Sequence, residues 1–291
     1  AGAAVDVLRH GGSHWLLPHT QAGTLYHKPP LYPWLTAAAI ALTGAHEDFI
    51  FRLPIVLATA GTALLVYALG RRWMDRRAGL LAACLWATTL HMSRMAYLAT
   101  TDMLLTLWVT AGLVCLDRLL LARARRRGWW AVGFWAAMVL AALSKGWGLV
   151  NLALVGGFVA LAAPLALRSP SDRACGLVRR VGRRWWRAAR GLRLGWGLLA
   201  MAAVLGPLWA AMLVVGGPEF RRMFHFEVVQ RVTGQGSPPP RATSVPPVLQ
   251  LLYYTLPVSV FAVGAVLLRL PRWSHVRRLA GGGPRRVLFG A

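Results

Sequence analysis

Long apolar blocks separated by short clusters of arginine dominate this sequence, and few folds tolerate that alternation. Apolar stretches lie at about 50–70, 78–93, 102–121, 129–143, 148–167, 194–216 and 250–268. Several approach the roughly 20 residues that an α-helix needs to cross a bilayer. A chain that is 57% hydrophobic and only 14% charged excludes disorder and an ordinary soluble domain. The predicted fold class is therefore an all-α polytopic membrane protein with about seven spans between 50 and 268. The stretch at 31–45 is too short for a confident span. It opens on Pro29, Pro30 and Pro33, which lack the backbone donors of a regular helix, so an interfacial or re-entrant segment is expected there.

The basic residues give the expected orientation. The segments 71–77, 122–128, 168–193 and 269–286 carry 4, 4, 9 and 6 of the 33 lysines and arginines. Arg118 sits one to two turns before the second of these segments, and the remaining nine are spread thinly over the intervening ones, against Asp6, Glu47, Asp48, Asp102, Glu219 and Glu227. Such alternation is what the positive-inside rule produces, so the arginine-rich loops are expected on the cytoplasmic side. The formal charge of +24 is then a topology signal, and nucleic acid is not an expected partner. The arginine- and tryptophan-rich 168–193 segment fits a helix on anionic lipid better than an RNA-binding arm. The external side carries two long polar stretches, 1–30 and 217–249, where chemistry is expected.

Both lysines of the chain stand at the external edge of apolar runs, Lys28 before Pro29-Pro30 and Lys145 within Leu143-Ser144-Lys145-Gly146. An ammonium there suits a lipid phosphate. Snorkelling to the interface explains an isolated lysine equally well. Asp102 opens a long apolar run, where it can cap a helix or fix a nearby cation. His10, His14, His19 and His27 share the first loop, with His10 and His14 four apart. No Cys or Glu lies at matching spacing, so the zinc reading of these histidines is weak. Cys84, Cys115 and Cys175 show no metal or disulfide pattern. Nucleotide-binding loops and a hydrolase elbow are missing from the sequence.

Several motifs in order resemble the polyprenyl-phosphate-dependent glycosyltransferases of the protein O-mannosyltransferase and aminoarabinose (lipid A) transferase superfamily. They are Gly12-Ser13-His14-Trp15, Lys28-Pro29-Pro30-Leu31, Phe51-Arg52-Leu53-Pro54, Gly70-Arg71-Arg72, Arg76-Arg77-Ala78-Gly79, Arg94 with Thr101-Asp102, and Leu143-Ser144-Lys145-Gly146. Gly217-Pro218-Glu219-Phe220, Glu227, Arg231-Val232-Thr233-Gly234 and Tyr253-Tyr254 resemble the late external loop and its following helix.

The resemblance implies a GT-C-type helix bundle in the bacterial inner membrane. It implies transfer of a sugar from a polyprenyl-phosphate donor to a lipid, glycan or protein acceptor on the extracytoplasmic face. Lys28, Lys145 and Arg231 are expected to bind the donor phosphate. Asp102 is expected in a supporting catalytic role, with Arg94, Glu227 and Tyr253 positioning. The family's principal acid pair aligns at or just before Ala1, with Asp6 a little too late to replace it. The polypeptide as given is therefore expected to be a partial domain, inactive alone, with an N-terminal helix and C-terminal part missing. His27 stands where the aminoarabinose branch has an acid, which leaves a divalent metal open, with His27 as its candidate ligand. The competing expectation is a non-catalytic lipid-binding or transporter-like protein, for which an inverted repeat would be required.

Overall fold

The computed structural model describes residues 2–26, 28–98, 100–121, 127–145, 186, 189–225, 253–257 and 260. Among them are nine α-helices, one 3-10 turn and no β-strand. The helices are α1 Gly2–His10, α2 Leu31–Thr43, α3 Asp48–Trp73, α4 Arg76–Ala87 and α5 Leu90–Tyr97. They continue with α6 Thr101–Leu121, α7 Arg127–Lys145, α8 Leu194–Val215 and α9 Gly217–His225. The expected span at 148–167 lies outside the described residues, as does most of that at 250–268.

Helices α3, α6, α7 and α8 fall within a few residues of the apolar blocks that predict them. Two expectations change. The stretch after Pro30 forms the regular helix α2, because Pro30 stands at its N-cap and Pro33 in its first turn. Amides there have no intrahelical partner to lose, so proline starts the helix instead of denying it. Gly44 ends it at φ 67°, donating its N–H to the Ile40 carbonyl at 2.8 Å. The apolar block 78–93 is two helices, α4 and α5. At the break the Thr89 amide turns to the Trp86 carbonyl at 3.2 Å, and the Thr89 hydroxyl donates to the Leu85 carbonyl at 2.8 Å, taking the bond that a further helical amide would have made.

The bundle has two distinct ends. α3 and α6 run parallel, with Ile55 and Ala58 buried against Met103 and Leu104. At their far ends, Arg72 meets Asp117 at 2.5 Å and the Trp73 indole N–H donates to Asp117 at 3.0 Å. α7 returns antiparallel to α6, with Phe134 and Met138 beside Gly112. α4 returns antiparallel to α3 across a backbone contact at Gly70 and Gly79. Gly191, just before α8, packs on Leu119, and the start of α8 packs on Trp135, whose indole N–H donates to the Leu192 carbonyl at 2.9 Å. One end therefore gathers Arg71, Arg72, Arg76, Arg77, Arg118, Arg127, Arg190 and Arg193 against Asp75 and Asp117. The other gathers the starts of α2, α3 and α6 and the ends of α5, α7 and α8, with a nearly balanced set of charges.

The exteriors of α3 and α8 agree with a lipid environment. These two described helices are long and apolar enough to cross a membrane, with mean hydropathies of 2.0 and 2.3. Only 17% of the apolar stretch of α8 is buried, and Trp196 is 74% exposed. A water-soluble protein rarely leaves an apolar surface of that extent uncovered. Together with its helical architecture, this makes the chain a polytopic membrane protein.

Candidate functional site

The antiparallel pairing of α6 and α7 brings the first turn of one helix beside the last turn of the other. Asp102 and Lys145, 43 residues apart, form a direct ion pair there. Each charge also sits at the helix end that favours it, a carboxylate near the positive N-terminus and an ammonium near the negative C-terminus. Of the two roles the sequence allows Asp102, capping α6 or fixing a cation, its carboxylate takes the second. The pair is 37% and 41% exposed, so both groups remain open to solvent or ligand. Ser144 behind it is buried, its hydroxyl donating to the Leu140 carbonyl at 2.8 Å.

Other expected residues lie on elements that converge at this end. Lys28, half-buried, precedes the start of α2. That start is held by the Tyr32 hydroxyl, which donates to the Phe51 carbonyl at 2.8 Å, and by the Trp34 indole N–H, which donates to the Trp15 carbonyl at 2.7 Å. Arg52 of α3 donates to the Tyr97 carbonyl at 3.1 Å and lies 4.9 Å above the Tyr97 ring. That contact fastens α3 to the end of α5, which carries Arg94 exposed. Segment 253–257 docks on the start of α5, where the Leu90 N–H donates to the Leu256 carbonyl at 2.8 Å. Tyr254 meets the His91 ring edge-on at 5.5 Å, with Tyr253 exposed beside it. His27, Glu227 and Arg231 lie outside the described residues.

The stretch 1–30 contains a constellation that spacing alone does not assemble. Instead of a loop throughout, it begins with α1, and a reversal at Gly11 and Gly12 (φ 61° and 50°) leads into the 3-10 turn Gly12–Trp15. Both glycines occupy left-handed backbone that other residues rarely adopt. The reversal returns His14 over Asp6. His10 Nδ1–H donates to Asp6 Oδ1 at 2.9 Å, and His14 Nδ1–H donates to Oδ2 at 2.7 Å. The His19 amide donates to Oδ2, also at 2.7 Å. Burial works to raise the Asp6 carboxyl, but the His19 amide and the His14 and His10 imidazoles more than offset it, and its pKa falls below the ordinary value. The missing acid among the histidines is thus Asp6, and its i, i+4 relation to His10 is the signal that could have found it.

A family model described as dolichyl-phosphate-mannose-protein mannosyltransferase matches residues 27–172. The chain is 31% identical over 233 residues to undecaprenyl phosphate-alpha-4-amino-4-deoxy-L-arabinose arabinosyl transferase of Pseudomonas aeruginosa strain LESB58, covering 77% of this chain and 37% of that one. It is 34% identical over 164 residues to the protein of the same name from Pectobacterium carotovorum strain PC1, covering 55% and 27%. Among solved structures, ArnT from Cupriavidus metallidurans bound to undecaprenyl phosphate is similar with a TM-score of 0.67 at 26% identity, covering 93% of this chain and 46% of that one. The chain spans less than half the length of each of these proteins. The matched region includes Lys28, Asp102 and Lys145 and covers half of the sequence, on a helical frame shared with ArnT and of the GT-C type. The chain belongs to the dolichyl-phosphate-mannose-protein mannosyltransferase family.

Proposed function

We propose that this chain forms part of a membrane glycosyltransferase that moves a sugar from a polyprenyl-phosphate donor to an acceptor on the extracytoplasmic face. The observation that carries the reading is the Asp102–Lys145 pair, at the bundle end where the start of α2 also presents Lys28. The names of the relatives support a 4-amino-4-deoxy-L-arabinose donor on undecaprenyl phosphate, and hence pentosyl transfer. The positive-inside rule supports a cytoplasmic arginine-rich end and an extracytoplasmic Asp102–Lys145 end, in the bacterial inner membrane.

In this reading an acceptor oxygen attacks the anomeric carbon of the sugar while the bond to the phosphate oxygen breaks. Negative charge grows on the departing phosphate. Fixed cations at that position stabilise the transition state more than the ground state, which is what accelerates the step. Lys28 and Lys145 are the cations proposed to hold the phosphate, with Arg231 as a third. Asp102 acts through Lys145, holding the ammonium in place by the direct ion pair. A separate carboxylate takes the acceptor proton. Arg94, Glu227 and Tyr253 are proposed as positioning groups.

The test is turnover of radiolabelled undecaprenyl-phosphate aminoarabinose by the full-length protein, alongside Lys28→Ala and Asp102→Asn. Both variants are expected to lose most of the activity, chiefly in kcat, because the charge these residues meet grows in the transition state. Unchanged turnover in both removes this site.

A further inference from the structure

The cluster at the end of α1 is separate from the Asp102–Lys145 pair and has no part in the sugar-transfer reading. We propose that Asp6, His10, His14 and His19 form a transition-metal site of the zinc class, with one carboxylate oxygen and three imidazole nitrogens.

Three observations carry it. The first is convergence. The Asp6, His10 and His14 donor atoms lie within 4.8 Å of one another. His19 Nδ1 stands 3.7 Å from the same carboxylate, and the His14 ring lies 4.8 Å from the His10 ring and 5.1 Å from the His19 ring. The second is an unsatisfied atom: His19 Nδ1 is shielded from solvent yet has no hydrogen-bond partner. A buried ring nitrogen aimed at a carboxylate already shared by two imidazoles is placed as a ligand would be. The third is orientation. The His19 amide fixes the Asp6 carboxylate in advance, as outer contacts do for metal ligands.

The geometry suits a small tetrahedral ion. Metal–ligand bonds of about 2.0–2.2 Å place neighbouring donors about 3.3 Å apart. The Asp6–imidazole separations of 2.7, 2.9 and 3.7 Å bracket that spacing. Closing the widest gap from 4.8 Å takes roughly 1.5 Å, and the His10 ring, 57% exposed, is free to turn. Each ring must present Nδ1 without its proton, carrying it on Nε2 instead. Three imidazoles with one carboxylate favour zinc over magnesium or calcium, which prefer all-oxygen shells. An ion there would tie α1, the reversal at Gly11-Gly12 and the segment leading to Lys28 into one unit.

The experiment uses the tag-free chain in detergent, loaded with zinc, desalted and measured for metal by mass spectrometry, with affinity read by competition against a chromophoric chelator. One zinc per chain is expected. His10→Ala/His14→Ala should weaken binding by more than about 100-fold, beyond the effect of losing an outer contact. His46→Ala/His225→Ala, two exposed histidines elsewhere, should bind as the parent does. Circular dichroism checks that helix content is unchanged. Cobalt(II) substitution should give the intense visible bands of a tetrahedral ion in the parent alone. Equal zinc affinity in the His10/His14 variant, or parent affinity no higher than that variant's, overturns the proposal.

Discussion

Gly79→Ala tests the packing that sets the two ends of the bundle. Where α3 and α4 cross, a Cβ on Gly79 would lie 2.6 Å from the Arg71 amide nitrogen, 2.8 Å from the Tyr67 carbonyl oxygen and 3.1 Å from the Arg71 Cα. A Cβ on Gly70 would lie 2.7 Å from the Gly79 Cα. Every one of these neighbours is backbone, so no rotamer change relieves the clash. Ordinary contact begins near 3.4 Å, which means the helices must part locally by roughly 0.8 Å. Overpacking of this kind costs about 1–3 kcal/mol, while alanine in a helix gains about 1 kcal/mol over glycine. Gly206→Ala isolates that gain, because among the described residues nothing lies within 4 Å of its Cβ position. In thermal unfolding followed by tryptophan fluorescence in nanodiscs, Gly206→Ala should match or exceed the parent. Gly79→Ala, with a net loss of up to about 2 kcal/mol, should melt below it by up to a few degrees. Gly70→Ala/Gly79→Ala should lose less than the sum of the single losses, since helices already parted accept the second methyl more easily. A Gly79→Ala protein as stable as Gly206→Ala would refute the close approach. So would full additivity at 70 and 79.

Two further predictions concern the site and its orientation. In a double-mutant cycle, Asp102→Asn and Lys145→Ala should show a stability coupling of only about 0.2–1 kcal/mol, as befits a half-exposed pair, while each lowers turnover; a coupling of several kcal/mol would mean a dry, structural pair instead. With the native cysteines replaced by serine, a cysteine at position 47 should react with a membrane-impermeant maleimide from the extracytoplasmic side and one at position 76 should not. The reverse pattern would invert the proposed topology.

How much was legible in the sequence depended on what each element needs from the rest of the fold. The spans α3, α6, α7 and α8 follow from uninterrupted apolar runs, because lipid imposes length and polarity directly. The helix α2 was obscured by prolines, whose effect reverses between the first turn and the interior of a helix. The split of α4 from α5 falls at Thr89, whose hydroxyl takes the Leu85 carbonyl while its amide turns to Trp86, a local choice invisible to hydropathy. Asp102 and Lys145 are each visible as charges at span ends, but their pairing needs the antiparallel register of α6 and α7. Asp6 does not stand out among the histidines in the sequence, because His14 and His19 reach it only after the chain reverses at two glycines. The motifs Gly70-Arg71-Arg72 and Arg76-Arg77-Ala78-Gly79 acquire a plain structural reason: their glycines let two helices touch, and their arginines flank the contact.

The end of the bundle that carries eight arginines against two aspartates holds a net +6 among the described residues. Guanidinium groups do not shed their protons under any condition a cell meets, so neither burial nor a pH gradient can discharge that end. A membrane potential acts on it in full, at about 2.3 kcal/mol per charge for each 100 mV, or about 14 kcal/mol for the whole cluster. With that end on the cytoplasmic side, as proposed, turning the protein over after insertion would mean lifting that load through hydrocarbon against the field. The proposed orientation would thereby be held by voltage as well as by packing, and both lysines of the chain lie away from that end.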